Sequence, residues 1–309
     1  MFVWVIETHD LTKVFRSAWG KVVVAVDGIN LRVPSGCVFG FLGPNGAGKT
    51  TTLNLLLGNL RPTKGTALLL GHPIGDPEVR RLVGYLPEKF QFHDFLTSEE
   101  FLDFHAQLLG VPKRIRKKRI DEVLDFVGLK ERRKSKLREF SKGMLQRIGI
   151  AQALLNEPRL VILDEPTSAL DPLGRREVRD LIVRLKAEGI TVFLNSHLLS
   201  EVEMTCDAVA IINKGRLVFQ GQLKELLQMP TQLDIRFQNP SSKWQQVVAS
   251  FGEIISVKGD GLSVRVQDEK LIPDLIESLV KSGARLLSVV PKRLSLEDLF
   301  VKVVTDEQI

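Results

Sequence analysis

The chain is poor in several things. Two cysteines, Cys37 and Cys206, stand among 309 residues. They are too few for a disulfide framework, and their apolar neighbours read as a reduced core in a cytosolic protein. No segment approaches eighteen uncharged apolar residues, so no membrane-crossing helix is expected. The opening "MFVWVIETHD" has neither the basic start nor the apolar stretch of a secretory signal. Tandem repeats and low-complexity tracts are missing too. The two most basic stretches have no interleaved aromatics for bases to stack on, so nucleic acid is not an expected partner. What remains is an ordinary globular composition, 44% hydrophobic and 26% charged, in a chain long enough for two domains.

The net charge of +6 is unevenly spread, with "VPKRIRKKRIDEV" (111–123) and "LKERRKSKLREF" (129–140) holding most of the excess. A solvated helical face with its connecting turns is the simpler reading. Proximity to a membrane or an acidic partner is the alternative.

One junction carries chemistry. Val38 to Leu42 is short and apolar, as a parallel strand covered on both faces would be. From Thr50 on, Leu53, Leu56, Leu57 and Leu60 recur at helical spacing. Between them Gly43-x-x-x-x-Gly48-Lys49-Thr50 matches a phosphate-binding P-loop in its strand–loop–helix setting. Glycines, Gly46 included, let the backbone approach a ligand and adopt positive φ, and the helix start offers N–H groups to an anion. A Gly-rich turn before a core helix is the plainer reading.

The segment to about 224 alternates short apolar runs with helical stretches, which predicts α/β architecture, a mainly parallel sheet flanked by helices. "VFGFLG", "LVILDEP", "TVFLNSH" and "AVAIINKG" are candidate strands. "LGRREVRDLIVRLKAEG" is a helix with Leu173, Val178, Leu181, Ile182 and Leu185 turned inward, punctuated by Pro172 and Gly189. Residues 96–155 lose the strand signal and read as a helical subdomain. A linker over 225–232 leads to 233–309, whose order β-α-β-β-α-β suggests a small α+β, ferredoxin-like domain. There Trp244, Val247, Val248 and Phe251 share a helical face, Gly-Asp-Gly turns a hairpin, and Ser295 caps a last helix.

Leu160–Leu163 ends in Asp164-Glu165, two carboxylates at the carboxyl end of a strand, where open α/β sheets place ligands. Asp164 is positioned to hold Mg²⁺ indirectly, with the Thr50 hydroxyl as direct ligand, and Glu165 to polarise an attacking water. Solvated acids at a strand end are the plainer reading. "FSKGMLQR" heads a helix, where Ser141 and Gly143 offer a hydroxyl and N–H groups to a phosphate. Alone it would be an ordinary N-cap.

Together these stretches resemble the ATP-binding subunits of ABC transporters over about residues 5–224. "GPNGAGKT" is similar to the family's Walker A motif, "LVILDE" to Walker B, "FSKGM" to the signature and "SALD" to the D-loop. His197 in "NSHLLSEVE" stands at the switch histidine. The resemblance implies a P-loop NTPase that hydrolyses ATP with Mg²⁺, paired head-to-tail with a second ATP-binding subunit. It also implies a separate integral-membrane permease, and a peripheral place on the cytoplasmic face. Carried over, Gly43, Pro44, Asn45, Gly46, Ala47, Gly48, Lys49, Thr50 and Thr51 cradle the phosphates, with Lys49 on the β- and γ-phosphates and Thr50 on the metal. Asp164 supports the metal, Glu165 is the base and His197 contacts the γ-phosphate. Ser141 and Gly143 reach the phosphate across the dimer. Asp171 contacts the opposite Walker A region or merely caps its helix. His9, His72, His93 and His105 match no motif and read as structural.

Three positions depart from the family pattern. Glu88 stands at the Q-loop glutamine, where it can still accept from the metal's water shell but adds negative charge. Lys142 and Met144 replace Gly and Gln in the signature. Phe15 is the better match for the adenine-stacking aromatic, Trp19 stays open, and either could be simple core. The spellings "GYLPE", "FSKGMLQR" and "SLEDLF" resemble the multidrug and antibiotic-export branch, which also serves other cargoes. A soluble ABC-type ATPase on ribosome or DNA is the second reading, weakened by the lack of a second cassette or a long coiled-coil insertion. A non-hydrolysing sensor is disfavoured by Lys49, Asp164, Glu165 and His197. A GTPase is disfavoured because "NKGR" at 213 lacks the guanine-reading acid.

Overall fold

The computed structural model describes residues 4–16, 20, 22–227, 231–238, 241–266, 268–292 and 295–305. Trp19 and part of the expected linker, 228–230, lie outside them. The chain packs as two units, Met1–Leu223 and Lys224–Ile309.

In the first unit, β1 (Trp4–Arg16), β2 (Val22–Ile29), β3 (Arg32–Pro34) and β4 (Val38–Leu42) precede α1 (Lys49–Leu56). Next come β5 (Lys64–Leu69), β6 (His72–Pro73), α2 (Pro77–Arg80) and β7 (Val83–Leu86). Three helices follow, α3 (Ser98–Leu108), α4 (Lys113–Phe126) and α5 (Lys142–Leu154), then β8 (Leu160–Asp164), α6 (Pro172–Ala187) and β9 (Thr191–Asn195). The unit closes with α7 (Leu199–Thr205), β10 (Ala208–Asn213) and β11 (Arg216–Gln222).

The central sheet runs β11-β10-β4-β9-β8-β7, parallel except for β11 at its edge. Every residue of β4, β8 and β9 is buried, as strands covered on both faces require. Phe193 fills the middle, stacked on Phe39 at 5.8 Å and tilted against Phe41 at 5.4 Å. A second sheet, β2-β1-β5-β6 with β3 beside β1, is antiparallel where paired. Parallel strands present all their carboxyl ends on one side, so the loops after β4, β8 and β9 meet there.

Two expectations are corrected. Leu173 is 65% exposed, while Gly174, Val178, Leu181, Ile182 and Leu185 form the buried face of α6. At 100° per residue Gly174, four before Val178, shares that face, and Leu173 lies a further step round. Leu60 is not on α1: the helix stops at Leu56 and the chain turns at Gly58 with φ +70°. Leu57 and Leu60 still pack against the core from the turn.

The helical stretch is held by specific devices. A capping box, Thr97 with Glu100, opens α3. Arg133 pairs with Glu99 on α3 and Asp121 on α4. Arg184 of α6 donates to the Phe126 carbonyl at 2.9 Å and lies 4.4 Å over that ring. Cys37 and Cys206 are free and buried, and burial pushes the Cys37 thiol up to about 11.

After α8 (Leu223–Leu227), the second unit contains β12 (Thr231–Phe237), α9 (Ser242–Ala249), β13 (Gly252–Lys258), β14 (Gly261–Val266), α10 (Ile272–Lys281), β15 (Leu286–Lys292) and α11 (Leu296–Thr305). Its sheet, β13-β14-β12-β15, is antiparallel throughout, with the first strand, β12, interior between β14 and the last strand, β15, as in a split β-α-β arrangement. Leu233, Ile235, Val264, Leu275 and Leu279 form its core with Trp244, which stacks on Phe237 at 4.8 Å. Ser295 accepts from the Asp298 N–H at 3.1 Å, capping α11.

Candidate nucleotide site

The loops after β4, β8 and β9 border a cleft of about 430 Å³. One wall is the glycine loop. Gly48, the N-cap of α1, has φ +106°, and a Cβ on it would lie 2.3 Å from the Ala25 carbonyl oxygen. Gly43 is equally constrained, its Cβ position 2.3 Å from the Ile212 carbonyl oxygen. Glycine is required at both, for space at Gly43 and for space and backbone angle at Gly48. No side chain caps α1, so its first-turn N–H groups are left for an anion.

Lys49 is only 8% exposed, and its ammonium donates to the carbonyls of Gly43 at 2.7 Å and Pro44 at 3.3 Å. Burial pulls its pKa below the ordinary lysine value, with Glu165, Asp164 and Glu88 opposing. Asn45, Gly46, Thr50 and Thr51 line the cleft, whereas Pro44 is half-buried behind and Ala47 belongs to the core.

The opposite wall is a connected set of polar groups. Asn195, the last residue of β9, donates from Nδ2 to Asp164 Oδ1 at 2.5 Å. Its carbonyl accepts from the Glu165 N–H at 2.8 Å. Glu165 sits at φ +52°, an unusual angle for a side-chain-bearing residue, and its Oε2 meets His197 Nδ1 at 2.7 Å. An ionised carboxylate only accepts, so Nδ1 carries the hydrogen and Nε2 is left free. Burial raises the pKa of Asp164, partly offset by its bond from Asn195. Burial likewise raises that of Glu165, with His197 opposing. Glu88 and Ser168 complete this side.

The donors fit magnesium that arrives with a polyphosphate. Asn195 Oδ1 is buried with no partner. The two carboxylates carry desolvation that a cation would relieve. Among the described residues no cluster of three or more His, Cys, Asp and Glu side chains would hold a metal alone. That is the expected state for Mg²⁺, which keeps waters and relies on substrate phosphates.

Most expected site residues are gathered here; besides Pro44 and Ala47, Phe15, Ser141 and Gly143 are not on the cleft wall, and Gly43 and Asp164 lie just behind it, bonded to Lys49 and Asn195. Phe15 lies on β1 opposite Val23, which does line the cleft. It is 40% exposed with the Lys13 ammonium 5.2 Å from its ring, so it is not core. Ser141 caps α5, accepting from the Met144 N–H at 3.2 Å, and Gly143 lies beside Gly174 and Glu177. Asp171 caps α6 through Gly174 at 3.0 Å. Sequence reasoning missed Val23, Val24, Ala25, Ser168 and Asn195. Asn195 had a visible signal, a polar residue ending an apolar strand two positions before His197. Of the unassigned histidines, His93 and His105 sit among Phe90, Phe95, Phe101 and Phe104, and burial lowers the His105 pKa.

The family model described as "ABC transporter" matches residues 26–168. An uncharacterized ABC transporter ATP-binding protein of Nostoc sp. is 44% identical over 301 residues, spanning 96% of this chain and 89% of that protein. The bacitracin transport ATP-binding protein BcrA of Bacillus licheniformis is 38% identical over 307 residues, 97% of each. Among solved structures, cbiO1 from Clostridium perfringens, part of the ABC transporter complex cbiONQ, superposes with a TM-score of 0.65 at 30% identity. It covers 72% of this chain and 90% of that one.

Proposed function

Because the chain belongs to the ABC transporter ATP-binding family, we propose which of its residues do the work and how it is assembled. The chain is an ATP-binding and ATP-hydrolysing subunit of an ABC transporter, using ATP with Mg²⁺. Subunits of this family dimerise and work with membrane permeases. A ribosome- or DNA-directed role is not favoured.

Lys49 and the N–H groups of residues 46–51 hold the β- and γ-phosphates, and Thr50, Asp164 and Glu88 hold the metal or its waters. Bound Mg²⁺ neutralises phosphate charge. Glu165 takes the proton of the attacking water, and His197 orients Glu165 while meeting the γ-phosphate through Nε2. The observation that carries this reading is the Asp164–Asn195–Glu165–His197 linkage facing the glycine loop across one cleft.

Ser141 and Gly143 are absent from that cleft and stand at the outward N-terminal end of α5, which supports completion of each site by a second copy in head-to-tail arrangement. The permease docks on the aromatic cluster next to Glu88, where Phe95 is 62% and Phe104 42% exposed. Among the described residues no helix is long and apolar enough to cross a membrane; the permease supplies the membrane-spanning path. The likeness to a bacitracin transport protein supports an exporter of antibiotic type.

Complementation tests the shared site. Lys49→Ala and Gly143→Asp chains are each inactive alone. Mixed, they form dimers with one intact composite site, and hydrolysis partly returns. No recovery in verified mixed dimers would mean that each chain completes its own site.

A further inference from the structure

We infer that the outer surface around Arg133, formed by α4 and the loop after it, is a contact for anionic lipid head groups, made by this chain itself in addition to any permease. Residues 96–142 hold thirteen Lys and Arg against eight Asp and Glu. The structure decides which of these charges are spent. Asp103 pairs with Arg116, Glu122 with Arg119 and Lys118, and Asp125 with Lys130. Glu99 and Asp121 are both taken by Arg133. Glu100 is turned back into the capping box, its Oε2 2.8 Å from the Thr97 N–H.

What is left outward is mostly basic: Glu131 and Glu139 are the exposed acids of the loop outside these pairs, and the exposed cations outnumber them. Lys113, Lys117, Lys134, Lys136 and Arg138 are all exposed, and none has an ion-pair partner among the described residues. The fold draws several of them together. The Glu99 N–H donates to the Arg133 carbonyl at 3.1 Å, the Ser98 N–H to that of Ser135 at 3.2 Å, and Lys136 bridges to Thr97. The loop therefore lies along the first turn of α3. Lys117 from α4 and Lys134 from the loop both act on the Glu99 carboxylate, and Lys136 acts on Glu100.

The chemistry favours a lipid surface over a nucleic acid. Between Lys113 and Arg138 the sole aromatic is Phe126, and Arg184 covers its ring. Within that span one part-covered ring gives no platform for stacking successive bases. Lysines on flexible stems suit a diffuse layer of negative head groups, each gaining roughly fivefold in partitioning near such a surface. The subunit of a membrane transporter also works within reach of one.

The test floats the full chain with phosphatidylcholine vesicles, with and without phosphatidylserine. Binding is expected only with phosphatidylserine and should weaken as salt rises. Lys117→Gln, Lys134→Gln and Lys136→Gln combined should lower it by about a hundredfold, with ATP hydrolysis in solution unchanged. Neutralising Lys243, Lys258 and Lys270 on the second unit should not lower it comparably, separating the patch from net charge. Absence of binding at low salt, or equal binding by the first triple variant, overturns the inference. Binding to polyglutamate or single-stranded DNA without binding to vesicles overturns it as well.

Discussion

Gly48→Ala and Gly46→Ala look alike in sequence and should behave differently. Both glycines have positive φ, +106° at Gly48 and +80° at Gly46. Alanine at either position carries backbone strain of about 1–3 kcal/mol. At Gly46 the strain is the whole cost, since nothing lies within 4 Å of the added carbon. At Gly48 that carbon meets the Ala25 carbonyl oxygen at 2.3 Å, backbone rather than a side chain able to rotate away. Relieving it means shifting β2, an overpacking cost of about 1–3 kcal/mol more. Calorimetry of the two variants should show Gly48→Ala less stable by roughly 2 kcal/mol. ATP affinity should fall further too, because Ala25, Val23 and Val24 on the same strand form the cleft wall. Equal losses of stability in the two variants would refute the claim that β2 is fixed against the loop.

Glu165→Gln keeps an acceptor for His197, so ATP affinity should stay within a few fold while turnover drops about 10²–10⁴-fold; a loss below tenfold removes Glu165 as base. Burial holds the Glu165 pKa above the usual carboxylate range, and the base must be ionised. The wild-type rate should therefore fall on acidification at a higher pH than an exposed glutamate would give, and the residual Glu165→Gln rate should lack that limb. Glu88→Gln removes a charge that helps raise the Asp164 pKa, so hydrolysis should hold or rise; abolished hydrolysis would give Glu88 an essential role. Phe95→Asp should leave hydrolysis by the isolated subunit intact and lose co-purification with the permease; unchanged co-purification moves the docking surface elsewhere.

The chemistry was more legible in the sequence than its surroundings. Gly43 and Gly48 were readable because spacing and residue type together encode a backbone demand, and the structure shows that demand as contacts. The second unit was readable because each segment alternates or cycles cleanly, as in "LDIRFQ". The antiparallel sheet of the first unit was not foreseen. β1 changes register between Leu11 and Val14, with Asp10 at φ +46°, so its burial pattern breaks the period of two. Leu173 misled because hydrophobicity alone does not fix a helix face. Charge runs named a basic region but not which cations are neutralised, since those pairings join α3, α4 and the loop across long sequence distances. Asn195 could be noticed as a polar end to an apolar strand, but not its role, because its partners Asp164 and Glu165 come from the neighbouring strand and the loop after it.

The end of β9 gives the site a form of bookkeeping-free synchrony. One amide holds the metal-supporting acid by its side chain and the base by its carbonyl, while the histidine follows two residues later on the same peptide. A pull on the imidazole by a terminal phosphate is therefore delivered to both acids through a single short run of backbone. On the proposed roles, holding the triphosphate and aligning the water would draw on the same few residues.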